Sequence, residues 1–269
     1  HLTALLKYTL KRLAPELQRC ECPALALIDR AIDQQITLIC HWIRVGFIHG
    51  VMNTDNMSIS GETLDYGPCA FMNTYKPDTV FSSIDQQGRY AFANQPNIAH
   101  WNISILAQAL LPLIDTDTQK ACDKALELIN TFPKRFNHCY QTMMAKKIGF
   151  EDSNNSTSKL VNELLNIMAS HQLDYTQTFK QLTYTPVKLK NSSIPELSQW
   201  LDGWHQLLKE NSLSSVDAKA LMIKHNPVVI PRNHLVEAAL NEVILNENYS
   251  RFNALHQRLS TPYSLIEDE

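Results

Sequence analysis

The sequence predicts a mainly α-helical fold with one short β-hairpin set into it. Three observations carry that prediction. Apolar residues recur at three- and four-residue spacing along most of the chain, the period of a helix with one buried face. One twenty-residue stretch, His49 to Pro68, breaks that period and places Gly61-Glu62 as a turn between two short arms, 57–60 and 63–64. At 269 residues and 44% hydrophobic, the chain can bury a sizeable core, as one large domain or two smaller ones.

In chain order, helices are expected at 2–13 and 24–45, the second running straight into the hairpin region. Residues 66–99 lack sustained periodicity and are rich in Asp, Asn, Gln, Pro and Ser. They read as an extended, ordered loop, because long irregular segments in compact domains are often functional. Further helices are expected at 101–113, 118–132, 136–146, 158–170, 174–182, 195–210, 214–225, 233–246 and 249–259. The polar run 149–158 reads as a flexible loop. It would divide residues 1–150, which hold the hairpin, from a helical region, 151–269, packed on them. Trp101, Trp200 and Trp204 lie on helical faces and are expected in the core.

The hairpin brings its two flanking loops side by side, so that Asp55 and Asn56 from the first meet Asp65 from the second. Carboxylate and carboxamide oxygens converging in this way suit a hard divalent cation, Mg²⁺ or Mn²⁺. Protein kinases use the same layout: a catalytic-loop Asn and the Asp of Asp-Phe-Gly hold the metals on the nucleotide phosphates. In kinases the spacing is His-Arg-Asp, four residues, then Asn. Counting from His49 puts Asn56 on that Asn, Asp65-Tyr66-Gly67 on Asp-Phe-Gly, and Val51 on the catalytic Asp. Valine cannot accept a proton, and a carboxylate stands instead beside the metal-binding Asn, at Asp55. The expected fold is therefore a kinase-like C-lobe with a C-terminal helical extension. On residue type alone, Asp55 and Asn56 could also shape a turn by bonding nearby backbone.

HGVMNTDNMSISGETLDYGP (49–68) and DQQGRYAFANQPNIAHWNISILAQALLPLI (85–114), with a weaker match in NPVVIPRN (226–233), resemble the selenoprotein O family of pseudokinase-fold protein adenylyltransferases. Beyond these blocks the likeness is diffuse, although its order and spacing run through nearly the whole chain. The resemblance implies Asp55 as proton acceptor, Asn56 and Asp65 as metal ligands, and ATP as co-substrate held through the metal on Asp65. The reaction it implies is AMP transfer to Ser, Thr or Tyr hydroxyls of protein substrates. Two departures fall in loops: Cys69-Ala70-Phe71 stands where the family has Phe-Gly-Phe, and Ser83-Ile84-Asp85 where it has His-Ser-Asp. The family's Cys- or selenocysteine-bearing tail has no counterpart in the closing residues 264–269, so a redox role tied to that tail is not carried over.

A kinase-like site also needs an N-terminal lobe with a Gly-rich cover, a strand Lys and a helix Glu. Seven glycines leave no such loop here, and the chain starts at His1. It is expected to be the C-terminal portion of a longer protein, with the missing N-lobe as a partner of the same polypeptide and no activity alone. His49 is expected to be structural, hydrogen-bonding backbone near Asp65. Arg89 is expected either to bind a phosphate or to pair with an acid in its own loop, and Arg232 to pack at a helix start or form an ion pair, with facing the active-site cleft as the lesser alternative.

A formal net charge of −3 gives no electrostatic case for nucleic acid or a membrane surface. No apolar run is long enough to span a bilayer and no signal-peptide pattern opens the chain. Six cysteines without a framework spacing point to a reducing compartment. That is the cytoplasm in a bacterium or the mitochondrion in a eukaryote. Zinc on Cys20 and Cys22 would lack a second ligand pair. Two alternatives to adenylyl transfer stay open: a kinase-like phosphotransferase with Asp55 as relocated base, and a non-catalytic nucleotide-binding pseudokinase.

Overall fold

A computed structural model describes residues 1–265, so the last four of the closing residues, 266–269, lie outside it. The molecule is built from helices: α1 (Leu2–Leu13), α2 (Pro23–Val45), α3 (Gln95–Leu110), α4 (Thr118–Ile129), α5 (Phe132–Lys147), α6 (Asn155–Ser170), α7 (Tyr175–Tyr184), α8 (Pro186–Lys190), α9 (Pro195–Glu210), α10 (Ser215–His225), α11 (Asn233–Asn246) and α12 (Ser250–Leu259). One two-stranded antiparallel sheet pairs β1 (Phe47–Ile48) with β2 (Ala70–Phe71), in the register Phe47 to Phe71 and Ile48 to Ala70.

The central helix is α2. Pro23 stands in its first turn, where a missing N–H costs nothing, and Gly46 ends it in the left-handed region at φ 76°. Leu27, Ile28, Ala31, Ile32, Ile36, Ile39 and Ile43 form its buried face against α3 and α5. Each fully buried aliphatic side chain of this kind contributes about 1.5–3 kcal/mol. Capping side chains start later helices: Asp117 for α4, Asn154 with Thr157 as a capping box for α6, Asp174 for α7 and Ser214 for α10. Within the run 149–158, residues 149–154 are turn, bend and loop and 155–158 form the first turn of α6. At Gly149, φ is 90°, and an added Cβ would meet Ala218 of α10 at 2.8 Å.

One hydrophobic core runs from Leu6 through Met222, across the expected boundary at residue 150. Trp200 and Trp204 sit in it as expected, 4% and 2% exposed, each with its indole N–H donated to a backbone carbonyl. The hairpin α11–α12 stands outside that cluster, with Leu235, Leu240, Ile244 and Leu245 exposed.

Several expectations are corrected. The ladder is not the 57–60 and 63–64 hairpin, of which one bridge remains, Met57 to Thr63. The pairing lies further out, where β1 leaves α2 and meets β2. Helix α3 begins at Gln95 rather than 101, because Pro96 occupies its first turn. Trp101 is 43% exposed, on the solvent side of α3, and lies outside the core. Helix α8 had no counterpart in the sequence reading.

Candidate active site

The β1–β2 pair closes a loop of residues 49–69, and the Met57–Thr63 bridge divides it into two arms lying side by side. The arms approach closely at Gly50, which has φ 85°; a Cβ there would meet Pro68 at 3.1 Å. This position needs glycine for both reasons.

The two arms are joined through Asn56. Its Nδ2 donates to Val51 O and to Asp65 Oδ2, both at 3.0 Å. Both amide hydrogens are thereby committed, which turns Oδ1 away as the free acceptor. Asp65 holds φ 55°, a left-handed conformation that costs a non-glycine residue roughly 1–2 kcal/mol. Backbone strain of this kind concentrates where function over-determines geometry. Asp55 lies in the short 3₁₀ turn Thr54–Asn56 with an exposed side chain.

His49 is fully buried, and its Nε2 lies 2.7 Å from Leu64 O, one residue before Asp65. A carbonyl can only accept, so Nε2 carries the proton. Nδ1 is left to accept from the Val51 N–H at 3.3 Å. Through both nitrogens, His49 ties the two arms together. Trp42 adds a second tie, Nε1–H to Thr63 Oγ1 at 2.9 Å.

Helix α3 carries residues that the sequence reading missed. Gln95, fully buried, accepts from His49 N at 3.1 Å and donates to Phe47 O and Phe92 O. About two turns along the same helix, Asn102 donates to Met52 O at 2.9 Å. The phenol of Tyr90 donates to Asn53 Oδ1 at 2.5 Å, and Asp85 accepts the backbone N–H groups of Arg89 and Tyr90. These contacts hold the first arm from His49 to Asn53. A signal was present in the neighbouring polar residues of Gln-Gly-Arg-Tyr and Asn-Gln-Pro-Asn, but nothing local indicated their partners.

The guanidinium of Arg89 lies 4.7 Å from the centre of the Trp101 ring, and only the residue's backbone meets Asp85. Arg232, at the N-terminus of α11, makes a two-pronged ion pair with Asp174 at 2.7 and 3.1 Å. Cys69, at the end of the second arm, has its thiol pKa raised by burial and by the Asp65 charge.

The donor set fits a hard divalent cation. The Asn56–Asp65 hydrogen bond sets a carboxamide and a carboxylate against each other, with Asn56 Oδ1 and Asp65 Oδ1 left over as oxygen donors. Among the described residues no group of three or more His, Cys, Asp or Glu is placed to hold a metal ion. A cation here would therefore take its remaining ligands from phosphate and water, the usual way Mg²⁺ is bound beside nucleotides. No described helix is long and apolar enough to cross a membrane.

The chain is 44% identical to the protein nucleotidyltransferase YdiU of Geobacillus kaustophilus (strain HTA426) over 271 residues, all of this chain and 56% of that one. It is 46% identical to YdiU of Lachnoclostridium phytofermentans and 44% identical to YdiU of Shouchella clausii, covering 97% of this chain and 54% of each relative. The chain thus spans about half the length of the relatives it matches. The model of the family described as protein adenylyltransferase SelO matches residues 1–260, and the chain belongs to that family.

Proposed function

We propose that the protein carrying this chain is a protein adenylyltransferase that moves AMP from ATP to Ser, Thr or Tyr hydroxyls of protein substrates. The carrying observation is the direct Asn56–Asp65 contact, with Val51 where a kinase has its base. Asn56 and Asp65 would hold Mg²⁺ or Mn²⁺ against the triphosphate, where the metal would supply neutralisation of phosphate charge. Asp55, next to Asn56 in sequence and exposed, takes the acceptor hydroxyl proton. The hydroxyl oxygen bonds to the α-phosphorus, the bond from that phosphorus to the bridging oxygen breaks, and pyrophosphate leaves. Both ring nitrogens of His49 are engaged in hydrogen bonds within the two arms. Its role is to fix the two arms. Arg89 remains a candidate for phosphate contact, on release from its stack on Trp101.

The rest of the ATP site would come from an N-lobe. This reading draws support from the half-length match to the relatives and from Leu64 and Tyr66, which flank Asp65 and are 44% and 67% exposed. All six cysteines are free, as suits a reducing compartment: the cytoplasm in a bacterium, the mitochondrion in a eukaryote.

The site residues serve phosphoryl transfer equally well, so the transferred group is the test. Full-length protein is incubated with ATP labelled at the α- or the γ-phosphate. Label from the α-position on protein hydroxyls, with release of pyrophosphate, is the expected result. Label from the γ-position alone would make the protein a kinase with a relocated acid.

A further inference from the structure

Away from the 49–69 loops, α2, α5 and the end of α10 line a solvent-open cavity of about 350 Å³. Its ionisable lining is basic or neutral: His41 and Arg44 from α2, His138 and Lys146 from α5, His225 from α10, and the thiols of Cys40 and Cys139. No Asp or Glu lines it. Lys147 lies behind the wall, fully buried, with Nζ donating to Arg44 O at 2.7 Å. Glu151, with a side chain 70% exposed, forms an ion pair with Lys146 at 3.6 Å.

Arg44 is unusual. A guanidinium drawn away from water ordinarily meets a carboxylate or phosphate. Here its Nη2 donates to the neutral phenol of Tyr263 at 3.1 Å, and its Nε is buried with no hydrogen-bond partner. His225 Nδ1 is also buried and unpartnered. The same excess of positive charge acts on the imidazoles. His225 is pushed down to about 4, first by burial and then by Arg44, Lys146 and Lys147, against a small opposing effect of Glu151. Burial and Arg44 also lower His41. Lys146 has one solvent-exposed counter-charge, Glu151, whereas the Arg44 side chain meets a phenol, and a bound anion would relieve the repulsion among these cations.

We propose that this cavity binds a phosphate-type oxyanion, with Arg44 and Lys146 as its cationic contacts and His225 taking up a proton as the anion enters. Two charge-bearing donors on separate helices match the several acceptor oxygens of a phosphate, the kind of pairing that gives strong hydrogen bonds. The volume leaves room for a small organic group on the phosphate as well as for the free ion. No residue of the 49–69 loops lines the cavity, so the site is separate from the one that carries the proposed transfer chemistry.

The test follows the His225 ring by NMR in the 269-residue chain, in chloride buffer at constant ionic strength. Inorganic phosphate and ribose 5-phosphate are titrated separately. A saturable shift that raises the His225 midpoint from about 4 is expected. Arg44→Gln and Lys146→Gln should each weaken it by about tenfold or more, the worth of a charged hydrogen bond. Lys146 is 31% exposed, so Lys146→Gln reports on binding even if Arg44→Gln impairs folding. Saturation by both ligands, or by phosphate alone, supports a site for the free ion, and saturation by ribose 5-phosphate alone supports one for a phosphate monoester. Absence of saturation with either ligand, or unchanged affinity in Lys146→Gln, overturns the proposal.

Discussion

Gln95 accepts the backbone N–H of His49 at 3.1 Å while donating its own amide to Phe47 O, so one buried side chain fixes the strand and the loop that leaves it. Helix α3 thereby sets the position of the first arm before Asp55 or Asn56 is reached. Gln95→Ala would leave a buried donor and a buried acceptor unpaired. We expect a loss of about 2–4 kcal/mol in chemical denaturation, from roughly 1–3 kcal/mol per unsatisfied group with partial relief by water. A loss below the scatter of neutral surface variants would show that the arm is held without it.

Much of the fold was legible, and the limits have physical causes. Helical periodicity located α2, α6 and α9 because each buries one continuous face, and Trp200 and Trp204 followed from it. Trp101 failed because α3 presents that position to solvent, where its ring packs under Arg89. The β1–β2 pair joins residues more than twenty apart, two per strand, too short for any alternation to register. Asn56 and Asp65 were readable as a pair because a short loop separates them. Gln95 and Asn102 act on partners 46 and 50 residues away, which no local pattern encodes.

His225 gives the fold a pH dependence in the acid range. Its pKa is about 4 when folded and near the ordinary 6.5 when unfolded. The unfolded chain therefore binds more protons between those values, and stability rises with pH across that window. The contribution is present above pH 6.5 and is lost as pH falls toward 4. Partial exposure reduces it to about 1 kcal/mol. His225→Gln should flatten the denaturation midpoint between pH 4 and 6.5, and an unchanged slope would assign the dependence to other groups.

The 269-residue chain should unfold cooperatively on its own, because one core runs from Leu6 to Met222. It should show no measurable nucleotide transfer, since the phosphate cover expected of an N-lobe lies outside it. Robust AMP transfer by residues 1–269 alone would show that the site is complete within this chain.

Asp55 separates base chemistry from metal binding. A general base contributes about 10²–10⁴-fold to rate. In full-length protein, Asp55→Ala should lower kcat by that order with little change in ATP affinity. Comparable losses in kcat and in metal–nucleotide affinity would move Asp55 into the metal shell.

The proposed transfer chemistry requires Asn56 and Asp65, joined at 3.0 Å, to act as one centre. The most direct measurement is transfer of α-labelled phosphate to protein by full-length Asp65→Ala and Asn56→Ala at saturating Mg²⁺ and, separately, Mn²⁺. Each variant should lose nearly all turnover with either metal, because the phosphate charge loses a direct ligand to its cation. Near-normal turnover by Asp65→Ala at saturating metal would contradict the assignment.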